Sequence, residues 1–266
     1  MPRIAVGLEY DGTRYCGWQT QSEAPSIQVA VERALARVAN ERIGLVVAGR
    51  TDAGVHAEGQ VAHFDTRALR SARAWILGAN TYLPEDISVA WARPVPGHFH
   101  ARYSAEARTY RYLILNRLAR PALAARRMTW IHRPLEVERM AAAAAVLVGE
   151  HDFSSFRAIE CQSRSPVRRV ERCLVTARDG AIAIEVTANA FLHHMVRNFA
   201  GLLIAVGQGE VAIADVAPLL ASRDRSRAPA TAPPDGLYLA AVRYPSAFRL
   251  PPAAGDGPAG RAGDRL

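Results

Sequence analysis

The amino-acid sequence predicts an α+β fold made of two tandem ferredoxin-like halves, each with the order β-α-β-β-α-β and an antiparallel sheet. Short segments of alternating apolar and polar residues are separated by longer segments in which apolar residues recur at helical spacing. This order occurs twice along the 266 residues. In the second half, Asp179-Gly180 lies between two alternating segments, which is a strong signal for a β-hairpin. A central cleft is expected between the halves.

The first half covers residues 1–104. Ser26 is a favourable N-cap for its first helix, and Pro84 ends its second because proline cannot continue a helix. The predicted elements are a strand at Arg3–Tyr10, a helix at 27–38, strands at 45–49 and 61–65, a helix at Ala72–Tyr82 and a strand at Ile87–Val95.

The second half covers residues 105–248, and its two long helices each end at a glycine, Gly149 and Gly207. The predicted elements are a strand at 108–116, a helix at 135–148, strands at Val167–Arg178 and Ala181–Ala188, helices at 192–206 and 213–221, and a strand at 237–244. Residues 249–266 are rich in proline, glycine and alanine without periodicity, which predicts a disordered tail.

The charge composition points to a polyanionic partner. The formal net charge is +8, and all 33 basic residues are arginine, with no lysine in the chain. The absence of lysine excludes Schiff-base chemistry, attachment of pyridoxal phosphate and a lysine general base. Because arginine does not deprotonate, acid–base groups must come from Asp, Glu, His, Tyr or Cys.

Cysteine usage and hydropathy predict a cytoplasmic protein. Cys16, Cys161 and Cys173 are far apart in the sequence and form no Cys-x-x-Cys pair, which fits a reducing compartment. No signal-peptide segment and no apolar run long enough to span a membrane is found.

Two segments concentrate side chains that can carry chemistry. Arg50, Asp52 and His56 lie among the glycines of segment 49–57, after an apolar strand, either as a tight turn or as a loop presented at a sheet edge. Arg197 lies opposite the apolar stripe of helix 192–206, where it is either solvated or, if buried, paired with an anion. His193 and His194 diverge on such a helix, so no metal site is expected.

Arginine and aromatic residues interleave elsewhere, as they do in surfaces that stack on bases and bind phosphates. The same pattern also fits cross-strand packing with solvated arginines. The residues are Phe99, His100, Ala101, Arg102 and Tyr103, then Arg108, Tyr110, Arg111 and Tyr112, and a further basic group of Arg164, Arg168, Arg169 and Arg172.

Segment 49–56, continued by 59–64, resembles the signature of the TruA-type tRNA pseudouridine synthase family. The similarity is ordered along the chain from Arg3 to Tyr244, and residues 245–266 lie outside it. Matching motifs occur at 83–87, 99–102, 108–112, 151–153, 191–198 and 236–238.

The resemblance implies a pseudouridine synthase fold and an isomerase that converts uridine to pseudouridine at positions 38, 39 and 40 of the tRNA anticodon stem-loop. It also implies base flipping, a homodimer, and neither cofactor nor metal. Asp52 would be the nucleophile, adding to C6 of uracil or to C1′ of ribose, and Arg197 would keep it ionised. Tyr110 would stack on the base, and Arg50 would occupy the vacated space. Further substrate contacts are implied for Phe99, His100, Ala101, Arg102, Tyr103 and Arg164.

Two other classes remain open from the residues alone. A non-catalytic RNA-binding module would explain the charge but not an aspartate within a basic surface. A metal-dependent nuclease needs clustered carboxylates, and only Glu58 and Asp65 lie near Asp52 in the sequence.

Overall fold

The computed structural model describes residues 1–21 and 24–252, which form two compact units. Unit 1 comprises Met1–Glu106 together with the segment from Tyr238, and unit 2 comprises Ala107–Leu237. Each unit combines helices with mostly antiparallel strands, which confirms the α+β class. The predicted disordered tail lies outside the described residues from position 253 onward.

Unit 1 has a ferredoxin-like strand order, β4-β1-β3-β2. Its central strand pairs antiparallel on both sides, with Ile4 opposite Phe64 on one neighbour and opposite Pro94 on the other. The hydroxyls of Ser26 and Ser71 accept hydrogen bonds from Val29 and Ala74, so both predicted helix starts are confirmed. The elements are β1 (Arg3–Tyr10), α1 (Ile27–Ala39), β2 (Val46–Val47), β3 (His56–Asp65), α2 (Ala72–Tyr82) and β4 (Ile87–Val95).

Unit 2 has the strand order β5-β9-β8-β7, with β6 parallel to β5. The hairpin of β8 and β9 turns at Asp179 and Gly180, both with positive φ, as the sequence predicts. The elements are β5 (Ala107–Asn116), β6 (Thr129–Ile131), α3 (Val137–Val146), β7 (Gly149–Asp152), β8 (Val167–Arg178), β9 (Ala181–Ala188), α4 (Met195–Gly207) and α5 (Val216–Ser222).

The last strand, β10 (Leu237–Arg243), runs parallel to β3, with Tyr238 opposite His56 and Leu239 opposite Ala57. This pairing places the chain from Tyr238 in unit 1, whereas the sequence-based boundary puts this strand in the second half. No helix in the described ranges is both long and apolar enough to cross a bilayer.

The predicted ends of three elements, β2, β3 and α3, were wrong. The strand at 45–49 reduces to two residues, and the strand predicted at 61–65 begins five residues earlier, at His56. The first part of β3 was not predicted because it contains the polar residues Glu58 and Gln60. The helix predicted at 135–148 covers only Val137–Val146.

The prediction that a helix begins at Leu192 was wrong. Helix α4 begins at Met195, and the residue before it, His194, has a φ of 62°, in the left-handed region that interrupts a helix. His193 and His194 therefore precede the helix, and their rings lie 4.0 Å apart between centroids. The two histidines therefore do not occupy the adjacent, diverging positions on a helix that the sequence predicts.

We predict that Gly59→Ala destabilises unit 1, because a Cβ there would lie 3.0 Å from the carbonyl carbon of Ala240 and force β3 and β10 apart. Overpacking of this kind costs about 1–3 kcal/mol. Gly44→Ala is the matched control, since a Cβ at Gly44 meets nothing within 4 Å. Urea unfolding of both variants measures the difference, and equal stabilities would contradict the close approach.

Candidate active site

The loop between β2 and β3 carries two of the predicted site residues. Arg50 is exposed and Asp52 is half-buried, whereas Thr51 between them is 6% exposed. A turn in which the amide of Val55 donates to the carbonyl of Asp52 at 3.1 Å closes the loop. Thr51 therefore lies in the core of unit 1, whereas Asp52 is less buried and Arg50 is exposed.

A buried group of polar side chains fixes this loop from below. The hydroxyls of Tyr10 and Thr51 are hydrogen-bonded to each other at 2.8 Å. The side-chain nitrogen of Gln60, Nε2, donates to the hydroxyl of Tyr10 at 3.3 Å. The same nitrogen donates to the carbonyl of Gly49 at 2.7 Å. Burial raises the pKa of Tyr10 to about 12, so its phenol stays protonated. We call Tyr10, Thr51 and Gln60 the loop frame.

The segment after β1 holds the loop from the other side. The amide of Trp18 donates to the carbonyl of Thr51 at 3.0 Å, and the amide of Gly54 donates to that of Tyr15 at 3.3 Å. Gly17 has a φ of 91°, and a Cβ on it would lie 2.6 Å from the oxygen of Thr51. Only glycine therefore allows this approach.

His56 completes the support of the loop. It is 1% exposed, its Nδ1 accepts the amide of Gly12 at 3.1 Å, and its ring stacks on Tyr238 with centroids 4.6 Å apart. Because this histidine is buried and engaged by backbone, we assign it to holding β3 and the adjoining turn.

Segment 99–103 divides into buried and exposed members. Phe99 and Ala101 are fully buried in the core of unit 1, so their side chains support the segment. Tyr103 is 77% exposed and stacks on His100, with ring centroids 4.3 Å apart at 27°. The guanidinium of exposed Arg102 lies 5.7 Å from the centre of the Tyr103 ring. His100, Arg102 and Tyr103 form an aromatic and basic surface.

His63 lies beneath this surface and is kept neutral. Its Nδ1 accepts the amide of Ala101 at 3.1 Å, and its ring lies 5.1 Å from that of His100. Burial, and then the positive charge of Arg3, lower the pKa of His63 to about 4. The imidazole therefore acts as a hydrogen-bond acceptor for the backbone near pH 7.

In unit 2, Tyr110 lies on β5 and is half-buried. It pairs with Val186 of β9, and its ring meets Phe191 edge-on with centroids 5.0 Å apart. Tyr112, two residues further on the strand, is fully buried, and its hydroxyl bonds Thr129 at 2.6 Å. Tyr112 is therefore part of the core, whereas Tyr110 is less deeply buried.

Arg197 lies in the first turn of α4 and is half-buried. Its Nε donates to the carbonyl of Ala232 at 2.8 Å, and the amide of Ala232 donates back to the carbonyl of Arg197 at 3.1 Å. This reciprocal pair fixes the arginine to segment 228–232. Both of these contacts are to backbone groups, and together they constrain the geometry of the arginine.

The other predicted basic residues differ in accessibility. Arg164 is exposed, whereas Arg108 is 9% exposed and donates to the carbonyl of Asn189 at 3.0 Å. Arg168 is half-buried, and its Nη2 donates a hydrogen bond to the hydroxyl of Ser163 at 2.6 Å, which stabilises the loop before β8. Arg111 lies 3.7 Å from Glu185, to which Arg172 also pairs. The interleaved pattern thus mixes structural arginines with accessible ones.

The sequence interpretation missed the side chains that hold these elements. Gln60 is fully buried within β3, and an isolated glutamine in an apolar segment was the available signal. Asn198 lies at the end of motif 191–198 but was given no role, and Arg225 lies outside the motifs, so only their contacts show that they support α4.

Comparison with known proteins gives consistent similarities over most of the chain. The family model described as tRNA pseudouridine synthase matches residues 8–104 and 143–245. The chain is 59% identical to tRNA pseudouridine synthase A of Methylococcus capsulatus over 248 residues, covering 93% of this chain and 92% of the relative. It is 54% identical to the protein of that name in Pseudomonas aeruginosa over 94% of this chain and 88% of the relative. For Yersinia pseudotuberculosis the identity is 53%, over 94% of each chain.

We predict that Tyr10→Phe lowers the free energy of unfolding by about 1–3 kcal/mol, because it leaves a buried hydroxyl of Thr51 without its partner. Tyr82→Phe, which removes a hydroxyl from a 57% exposed tyrosine, is the control and is expected to change stability by less than about 0.5 kcal/mol. Urea titration measures both. Equal effects would show that the loop frame contributes nothing.

We predict that stability rises with pH between about 4 and 6.5 through His63. In the unfolded chain a histidine titrates near 6.5, so between the two pKa values the unfolded state binds the extra proton. Stability is therefore complete above that window and falls as the pH drops through it. Denaturation as a function of pH should show a shallower slope for His63→Gln than for the exposed control His132→Gln. Identical slopes would contradict the prediction.

Proposed function

The chain belongs to the tRNA pseudouridine synthase family, and from this membership we propose that it converts uridine to pseudouridine at positions 38, 39 and 40 of the anticodon stem-loop of tRNA. The observation that carries the proposal is the 59% identity over 93% of the chain to a tRNA pseudouridine synthase A. Asp52 and Arg197 both fall within the residues that the family model matches, while Tyr110 lies between the matched segments.

The reaction exchanges one glycosidic bond for another. The bond from N1 of uracil to C1′ of ribose breaks, the base rotates, and a bond from C5 to C1′ forms. The proton on C5 leaves and N1 gains one, so atoms and electrons balance without an oxidant or a reductant. Such an isomerisation needs a nucleophile, a proton carrier and a site that holds the detached base.

Asp52 is proposed as the nucleophile, adding through a carboxylate oxygen to C1′ of ribose or to C6 of uracil. The rigid support of the loop favours this role. The main chain around Asp52 is held by Thr51 below and by Trp18 and Gly54 beside it, so its side chain starts from a fixed position. Nucleophile placement of this kind lowers the entropic cost of attack.

Arg197 is proposed to keep the carboxylate ionised and oriented, because a guanidinium holds a carboxylate at two points. Tyr110 is proposed to stack on the target base and to carry the C5 proton, and its half-buried ring on β5 is suited to stacking. A base in a stem must be flipped out before it reacts, and exposed Arg50 beside Asp52 is proposed to occupy the vacated space.

The surface of His100, Arg102 and Tyr103, together with Arg164, is proposed to contact the RNA. A stacked His–Tyr pair beside an arginine offers an aromatic face and a positive charge for a nucleotide. Buried Phe99 and Ala101 are proposed to support that surface. We further propose that the protein acts in the cytoplasm as a homodimer and uses no cofactor.

Release of tritium from tRNA labelled at C5 of uridine, in the presence of a metal chelator, tests the function. Only replacement of the C5–H bond releases the label, so one tritium is expected for each pseudouridine formed. A module that only binds RNA, or a nuclease that cuts it, releases none, and that result would overturn the proposal.

We predict that Asp52→Asn abolishes isomerisation and changes tRNA affinity by no more than a few-fold, because the amide keeps the shape of the side chain but is not a nucleophile. Single-turnover assays with purified tRNA measure the first quantity and filter binding the second. Asp179→Asn, at an 85% exposed side chain in a turn that asparagine tolerates, is the control and should keep full activity. Conversion by Asp52→Asn above trace levels would exclude Asp52 as the nucleophile.

We predict that tRNA affinity falls steeply with salt and that Arg102→Gln reduces the slope of log affinity against log salt by roughly 0.7–0.9, the value for one phosphate contact. Arg33→Gln removes the same charge from the exposed face of α1 and is expected to leave the slope unchanged. Titrations at several salt concentrations make the comparison. Equal slopes for the two variants would remove Arg102 from the RNA interface.

A further inference from the structure

Asn198, which follows the proposed catalytic arginine, is buried, and both its side-chain nitrogen and its side-chain oxygen form hydrogen bonds. It is 1% exposed, and its Nδ2 donates to the carbonyl of Phe156 at 2.7 Å. Its Oδ1 accepts from the hydroxyl of Thr231 at 2.7 Å and from Nη2 of Arg225 at 3.2 Å. A side chain with this many buried hydrogen bonds defines one arrangement of the groups around it.

Arg225 links Asn198 to segment 228–232 through hydrogen bonds from its guanidinium. Its Nη1 donates to the carbonyls of Ala228 and Pro229, both at 3.0 Å, and its Nη2 donates to the hydroxyl of Thr231 at 2.9 Å. One planar guanidinium thus fixes two carbonyls and one hydroxyl of segment 228–232 at once. An ammonium group lacks the geometry to do this.

Segment 228–232 lies against the first half of α4, from Arg197 to Gly201. A Cβ on Gly201 would lie 3.2 Å from the carbonyl carbon of Ala230, so the absence of a side chain at Gly201 admits this backbone. At the end of the segment, the carbonyl of Ala232 accepts a hydrogen bond from Nε of Arg197. Because a guanidinium is planar, the direction of its Nε–H bond also determines where both terminal nitrogens point.

The geometry points to Asn198, Arg225 and Thr231 as positioning residues for Arg197, acting through the carbonyl of Ala232. The three side chains fix segment 228–232, that segment presents the carbonyl, and the carbonyl orients the guanidinium toward its anionic partner. The inference rests on the proposed function, in which that partner is the carboxylate of Asp52. None of the three is proposed to touch the substrate.

The conservative pair Thr231→Val and Thr231→Ser isolates the hydroxyl. Valine has the shape of threonine but neither donates to Asn198 nor accepts from Arg225, whereas serine does both. Thr231→Val is expected to lower the single-turnover rate on the order of 10- to 100-fold, the cost of misplacing a catalytic group by a fraction of an ångström to an ångström. Thr231→Ser is expected to retain the wild-type rate within about threefold. Both should bind tRNA as the wild type does.

Arg225→Gln and Arg227→Gln form a second, charge-matched pair from the same short helix, Arg225–Arg227. Each loses one positive charge, so any general effect on RNA affinity is shared. Arg227 is exposed, and Arg227→Gln is expected to change only the affinity for tRNA. Arg225→Gln should in addition lower the single-turnover rate. Thermal melts accompany both, and if Arg225→Gln fails to fold, the threonine pair decides the question.

A double-mutant cycle with Arg197→Ala identifies the route of the effect. If Thr231 acts through Arg197, then Thr231→Val should cause no further loss of rate in an Arg197→Ala background. Full additivity, or equal rates for Thr231→Val and Thr231→Ser, would overturn the inference. Wild-type protein is assayed first, and if it forms no pseudouridine the proposed function fails. If it does and the variants match it, only the positioning role fails.

Discussion

The loop that carries Asp52 depends on hydrogen bonds among buried polar side chains beneath it. Tyr10 brings a hydroxyl into the core, where it must be hydrogen-bonded because an unpaired polar group costs about 1–3 kcal/mol. Thr51 and Gln60 supply those bonds, and Gln60 also binds the carbonyl of Gly49. The hydrogen bonds of these three side chains hold the loop at Gly49 and Thr51. The location of Asp52 is a consequence of that requirement.

Unit 2 uses a related arrangement for Arg197. In both units the side chain with a proposed role is half-buried. Its immediate neighbour in the sequence, Thr51 in one case and Asn198 in the other, is buried and hydrogen-bonded. A carboxylate or guanidinium can then meet a substrate while the backbone that carries it is held by the core. Such preorganisation reduces the reorganisation needed when charge develops in the reaction.

Local signals in the sequence predicted the elements that local forces determine. Helix α2 is found at the predicted bounds because Ser71 caps it and its apolar residues keep one period, and the hairpin of β8 and β9 is found because Asp179 and Gly180 adopt positive φ. The start of α4 could not be predicted, since the left-handed conformation of His194 depends on tertiary contacts. For the same reason no pattern identified Arg225, whose partners span residues 198 to 231. Asp52 and Arg197 were singled out as residue types in unusual surroundings, and their assigned roles remain proposals.

Hydrogen exchange of backbone amides in the RNA-free protein tests most directly whether the loop is held in place before any substrate arrives. The informative amides are those of Trp18, Gly54 and Val55, which donate to Thr51, Tyr15 and Asp52. The account predicts that they exchange nearly as slowly as the amides paired within β1 and β3, and that adding tRNA changes them little. Exchange orders of magnitude faster than in those strands, with strong slowing when tRNA binds, would show that the substrate orders the loop and would contradict the account.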